Sequence, residues 1–322
     1  MDLRKPNVLV NTKGLSRSDW LRCRKLGIGG SDAAALLGLS QYSSPLSVWA
    51  DKVSADVPED EEEITSESAW RGNVLEEPIA RRYARQSGLN IVRCNQMLQH
   101  PDYPWMLANI DRRVKGQRIG VEIKSVSPTT KYDFEGGEID PRFYCQCMHY
   151  LAVTGWDKWI LVVWVVDRGL YDFEITPNMD EINTLIEVEK EFWQKNVVLR
   201  VMPPVDGTEA SADALKLSFP ASNNEMMTLD CEDDITRYLV LDAQVKVLEA
   251  EREIAKQKIQ QRMGNFEVGV TANYTVKWKS GKPVERFDKK RFAAEMPELY
   301  QKYLKAGSPV RRFEVKESTK ED

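Results

Sequence analysis

Trp159 to Val166 is an unbroken run of eight apolar residues closed by Lys158 and Asp167. A bilayer-spanning helix needs roughly 20 such residues, so this run is too short to cross a membrane. Its length and its content of Val, Ile and Trp suit a strand covered on both faces, which lies inside a sheet with helices on either side. Leu170 to Ile175 reads as the next strand. Before them, the β-prone runs Trp105 to Val114 and Ile119 to Val126 flank Lys115-Gly116-Gln117-Arg118, a polar turn with glycine that predicts a β-hairpin. Helical segments surround these strands: Trp20 to Leu26, Ala33 to Leu37, Ile139 to Val153 and Asp180 to Asn196. Trp70 to Gly88 is amphipathic, with Leu75, Ile79, Tyr83 and Ala84 at helical spacing. The order of helices, hairpin, helix and strands predicts an α/β fold, a mixed central sheet flanked by helices.

Pro203 to Asn224 is rich in Pro, Gly, Ser, Asp and Ala and is read as a linker. It separates residues 1–202 from a C-terminal extension, 225–322. That extension opens with a long charged helix, about Asp233 to Met263, in which Tyr238, Leu241, Val245, Leu248, Ala255 and Ile259 follow heptad-like spacing and Arg252 interrupts the seam. A small α+β module follows, with a strand at Tyr274 to Lys279 and a helix from Lys289 to Leu304. The net charge of −5 is unevenly spread: from Val268 onward there are 13 basic and 8 acidic residues, and the acidic run Asp56 to Glu67 lies in the first part. Overall charge therefore neither supports nor excludes a polyanionic partner. Lys277, Lys279, Lys289, Lys290, Arg291, Arg311 and Arg312, with Trp278 and Phe313, suit phosphates and stacked bases, although Trp278 suits the core of the small module equally well.

The five cysteines are scattered without a CxxC pair, and there are two histidines, His100 and His149. A zinc site built on His and Cys, or a Ser/His/Asp triad, has few residues to draw on, and a bound metal is expected to have oxygen ligands. The N-terminus has charge but no apolar segment behind it, so the expected location is the cytoplasm.

The informative stretch is Ala108-Asn109-Ile110-Asp111, followed across the turn by Val121-Glu122-Ile123-Lys124. In a strand, side chains alternate, so Glu122 and Lys124 share one face while Val121 and Ile123 take the other. A hairpin brings Asp111 beside them. Two carboxylates and a backbone carbonyl such as that of Ile123 form a hard-oxygen site suited to Mg²⁺, with Mn²⁺ as the other candidate. A neighbouring ammonium, Lys124, suits the positioning of a nucleophilic water or the charge on a phosphate under attack. Glu76, on the amphipathic helix, offers a third carboxylate but reads on its own as a surface residue.

These segments together resemble the YqaJ-type viral recombinase family, the lambda-exonuclease-like branch of the PD-(D/E)xK nucleases. Arg24-Lys25-Leu26-Gly27-Ile28-Gly29-Gly30-Ser31-Asp32 is similar to the family's opening motif, and Gly72 to Glu76 to its G-x-x-x-E helix. Asp111 with Glu122-x-Lys124 resembles its metal site, and Tyr144-Cys145-Gln146 with His149-Tyr150-Leu151 its glutamine helix. The resemblance implies a restriction-endonuclease-like core and an exonuclease that degrades the 5′-ended strand of linear duplex DNA. Such an enzyme leaves a 3′ overhang for a single-strand-annealing partner. It further implies that Asp111, Glu122 and Glu76 hold Mg²⁺, and that Lys124 assists the attacking water. Ser31, Asn109 and Gln146, with Arg24 or Lys25, would line a pocket for the 5′-terminal phosphate. Relatives form ring-shaped trimers, which makes a homo-oligomer an expectation here. Met148 stands where many relatives carry a second glutamine, and Ile110 replaces the superfamily's proline. The competing readings are an endonuclease acting on internal or branched DNA, and a catalytically silent recombination scaffold.

Overall fold

The computed structural model describes residues 5–54, 67–223, 225–282, 286–305 and 311–316. All of the acidic run but its last residue, that is residues 56–66, lies outside them. The chain divides into two compact units, 1–220 and 221–322.

In the first unit the elements are β1 (Asn7–Asn11), α1 (Arg17–Lys25), α2 (Gly30–Leu36), α3 (Pro45–Val53), α4 (Glu67–Ser87), β2 (Ile91–Arg93), β3 (Gln96–Gln99), β4 (Leu107–Asn109), β5 (Arg112–Val114) and β6 (Ile119–Val126). They continue as α5 (Pro141–Thr154), β7 (Lys158–Val165), β8 (Gly169–Ile175), α6 (Met179–Glu191), a π-helical turn at Phe192–Val198, and α7 (Glu209–Ser218). The apolar run is β7, lying between β6 and β8 in a five-stranded sheet of order β2-β5-β6-β7-β8. β6 and β7 are parallel and the other pairs antiparallel, so the sheet is mixed as expected. A parallel pair needs a crossover, and α5 supplies it.

Both faces of β7 are covered. Trp159, Leu161 and Val163 pack with Leu151 and Val153 of α5, while Ile160 and Val162 pack with Ile79, Ala80 and Tyr83 of α4. The same alternation governs β6: Val121 and Ile123 join the α4 side. α5 starts cleanly because Asp140 caps it and Pro141 occupies its first turn, and it stops at Gly155, whose φ of +62° suits a residue without a side chain.

The expected hairpin is only half of what forms. β5 and β6 pair across the 115–118 turn, with Arg112 opposite Val121. The run Trp105 to Val114, however, is not one strand. Its first part, β4, pairs with β3 in a separate three-stranded sheet, β1-β3-β4. The chain leaves that sheet at Ile110-Asp111, where Ile110 is buried in the core and the Asp111 carbonyl accepts from the Cys94 amide. Asp111 therefore sits at a junction between two sheets.

The linker reading also needs correcting in part. Glu209–Ser218 is a helix packed on α3, with the Ser211 hydroxyl 3.0 Å from that of Ser44. In the second unit, α8 (Glu232–Met263) matches the expected long helix, and β9 (Val268–Val270) pairs with β10 (Thr275–Lys277). The helix expected over Lys289 to Leu304 forms as two, α9 (Lys289–Glu295) and α10 (Pro297–Lys302), because Pro297 cannot donate to a continuing helix. Among the described residues no helix is long and apolar enough to cross a membrane.

Candidate active site

Glu122 projects from β6 toward α5 and is 2% exposed. Its Oε1 lies 2.7 Å from Lys124 Nζ and accepts a 2.9 Å hydrogen bond from Gln146 Nε2 on α5. Its Oε2 is buried with no partner. A buried carboxylate oxygen left unpaired is costly, and such atoms in a folded protein call for an ion or water.

Asp111 adds to that demand. Burial and the nearby carboxylates of Glu122 and Glu76 push its carboxyl up to about 8, against the pull of Lys124 and Arg112. The protein has concentrated negative charge where water is scarce, a pattern typical of functional sites. Burial alone would lower Lys124, but Glu122 and Asp111 outweigh it and hold the ammonium protonated.

Glu76 is engaged differently. Arg112 donates to its Oε1 from Nε at 3.0 Å and from a terminal nitrogen at 2.8 Å, and reaches Glu77 at 2.8 Å. Arg112, Arg93 and Arg81 hold Glu77 down at about 2. Glu76 is thus within electrostatic reach of Asp111 but bound to a buried guanidinium. Among the described residues no three His, Cys, Asp or Glu side chains converge as a metal-holding group. The donor set is instead two carboxylates with one orphaned oxygen. That fits an ion such as Mg²⁺, which keeps several waters and is held by one or two carboxylates.

The network continues from Glu122 toward the N-terminal helices. Gln146 Nε2 also lies 2.9 Å from the Tyr150 hydroxyl, which donates to the Asn109 carbonyl at 3.2 Å. The Asn109 side-chain oxygen accepts from Trp20 Nε1 at 3.3 Å, and the Arg24 guanidinium lies over the Trp20 ring, 5.0 Å from its centre. Arg24 in turn reaches the Ser31 hydroxyl at 3.5 Å. Arg24, Ser31, Asn109 and Gln146 are therefore linked to one another and to Glu122.

Lys25 is not part of this group. It turns to Asp51 and to the Ser54 carbonyl. Met148 is buried in the hydrophobic core.

Two features position α2. Lys52 of α3, buried, bonds Asp32 at 2.8 Å and the Arg24 carbonyl at 3.1 Å. Burial would raise the Asp32 carboxyl, but Lys52 and Arg24 bring it below the usual range. Gly30 then lets α2 approach α5: a Cβ there would sit 2.8 Å from Gln146 Cγ and 2.9 Å from Tyr150 Cε1. Gly30→Ala is expected to destabilise the protein by about 1–3 kcal/mol, the usual cost of overpacking, and to shift Gln146 off Glu122. Thermal melts should detect it, and an unchanged midpoint would show that α2 yields freely.

Trp20, Tyr150 and Arg112 were not singled out by sequence reasoning. Arg112 adjoins Asp111 and Tyr150 adjoins His149, but nothing local says which way their side chains turn.

Residues 19–157 match the family described as the YqaJ-like viral recombinase domain. The chain is 32% identical over 312 residues to the uncharacterized protein YqaJ of Bacillus subtilis, covering 95% of this chain and 96% of that one. Among solved structures it is similar to an alkaline exonuclease (LHK-Exo) from Laribacter hongkongensis, with 18% identity over 56% of this chain and 98% of that one and a TM-score of 0.43. It is also similar to a phage-related exonuclease from Haemophilus somnus 129PT, with 10% identity over 56% of this chain and 100% of that one and a TM-score of 0.41.

Proposed function

The chain belongs to the YqaJ-like viral recombinase family, and on that premise we propose that it is a Mg²⁺-dependent exonuclease that degrades the 5′-ended strand of linear duplex DNA. The observation that carries the proposal is Glu122. One of its oxygens is clasped by Lys124 and Gln146, the other is buried and unpaired, and Asp111 is forced toward its protonated form beside it. A purely structural site would not keep that arrangement, whereas a cation removes both costs at once.

Asp111, Glu122 and the Ile123 carbonyl would hold the ion, and Glu76 would join them by releasing Arg112. Bound there, Mg²⁺ would supply an acidified water and charge neutralisation at the scissile phosphate. Lys124, being protonated, acts as a hydrogen-bond donor and positive charge toward the attacked phosphate rather than as a base. Gln146 fixes the Glu122 carboxylate, and Arg24 gives the neighbouring pocket its charge. An Arg–phosphate contact is charge-assisted and suits a chain terminus that carries more negative charge than an internal phosphate.

Product strands with 3′ overhangs would pass to a single-strand-annealing partner. On this reading the catalytic domain runs through α7 rather than ending at Met202, and the extension beyond it contributes binding rather than chemistry.

The test uses duplexes labelled at either end, with a 5′-phosphate or a 5′-hydroxyl. Label at the 5′ end should be released first, and the hydroxyl-ended duplex should be degraded at least about tenfold more slowly. Arg24→Ala should remove most of that preference while Lys25→Ala leaves it. Equal rates on the two ends in the unaltered protein would rule out the phosphate pocket, and first release of 3′ label would rule out the polarity.

A further inference from the structure

We propose that α8 pairs, parallel and in register, with α8 of a second copy of this chain to form a two-stranded coiled coil. The helix has 32 residues and is therefore about 48 Å long. Leu241, Val245, Leu248, Arg252, Ala255 and Ile259 alternate at spacings of four and three along it. That seam is uncovered: Leu241 is 42% exposed, Val245 51%, Leu248 63% and Ile259 45%. Tyr238, one step earlier, already rests edge-on against Phe313, so the free seam begins at Leu241. Val240, Val247 and Ile254 form another exposed line, but with one residue every two turns it cannot interdigitate as a seam does.

The flanking charges choose the partner. In a parallel pair in register, each residue preceding the first seam position of a heptad faces the residue five places later on the other helix. Arg237 then meets Asp242 of the second copy, Gln244 meets Glu249, and Glu251 meets Lys256. Two of these contacts are attractive and none is repulsive. In the antiparallel arrangement that sets Val245 opposite Leu248, Arg237 faces Lys258 and Asp242 faces Glu249, both like-charged.

Strand number follows from shape. Val245 and Ile259 are β-branched and occupy the first seam position of their heptads, while Leu241 and Leu248 occupy the second, the combination that favours two strands. Between Leu241 and Ile259, Arg252 is the single charged seam residue, and in register it lies alongside Glu251 of the second copy. A lone polar residue of this kind fixes register at some cost in stability. Pairing of this type would deliver both copies' basic segments, which begin at Val268, from the same end of the coil.

Sedimentation equilibrium of the full chain tests the proposal. The Leu241→Asp/Leu248→Asp variant should have half the mass of the unaltered protein. Arg237→Glu or Asp242→Arg alone should weaken association about tenfold, and the two together should restore it. Because these charges lie on an exposed helix face, the restoration is readable even if the seam variant misfolds. Equal masses for the seam variant and the parent, or a double charge variant no tighter than the singles, would overturn the proposal.

Discussion

Asp111→Asn should abolish cleavage of linear duplex, by a factor of about 10³ or more, and yet give a protein that melts at a higher temperature when no divalent metal is present. Both effects come from the same carboxylate. Asp111 lies at the junction between two sheets, buried beside Glu122 and Glu76, and its carboxyl is pushed up to about 8 from an ordinary 3.8. A carboxyl raised in the folded state binds a proton that the unfolded chain has already lost. Its contribution to stability is therefore full below about 4 and is lost as pH rises through about 8. Above that pH the native protein holds two buried, mutually repelling carboxylates, at a cost on the order of a few kcal/mol. Asparagine keeps the shape and removes the repulsion. At pH 8.5 without metal the variant should melt higher than the parent, and Mg²⁺ should raise the parent's midpoint but not the variant's. Near-normal Mg²⁺-dependent cleavage by Asp111→Asn would place the metal elsewhere.

Lys124→Ala is expected to reduce cleavage by about 10²–10⁴ while the protein still responds to metal. Lys124 Nζ lies 2.7 Å from Glu122 Oε1 and 5.3 Å from the centre of the Phe143 ring, and its side chain is 24% exposed. That places an ammonium between the carboxylate and solvent, where a phosphate would arrive. Removing it takes away the positive charge but neither carboxylate. The Mg²⁺-induced rise in melting temperature should survive, and a loss of both activity and metal response would make Lys124 structural rather than catalytic. Lys124→Arg should not rescue, because a planar guanidinium cannot occupy the place of a compact ammonium at that distance.

What the sequence made legible was whatever rests on local periodicity. An eight-residue apolar run has no other stable place than inside a sheet, and β7 is there. Alternation along β6 likewise separated Glu122 from Val121 and Ile123 before any tertiary contact was known. The break at Ile110-Asp111 was not legible, because Trp105 to Val114 is uniformly β-prone. Only pairing decides it: Asn109 lies opposite Met97 in one sheet and Arg112 opposite Val121 in the other.

The same limit explains Glu76, whose partner Arg112 is 36 residues away, and the choice of Arg24 over Lys25, which depends on Asp51 and Trp20. α3 and α7 were missed for different reasons. α3 announces itself through Ser44, Pro45 and Ser47, a capping arrangement that can be read from sequence. α7 lies in a stretch whose composition suggests a linker, and it is held by packing on α3.

The most direct test of the central claim sets a linear 5′-phosphorylated duplex beside a covalently closed circle of the same sequence, with Mg²⁺ and with chelator. An exonuclease built on Asp111, Glu122 and Lys124 should consume the linear DNA in Mg²⁺, leave the circle intact, and degrade neither in chelator. Linearisation or fragmentation of the closed circle, or degradation that continues without divalent metal, would contradict the account.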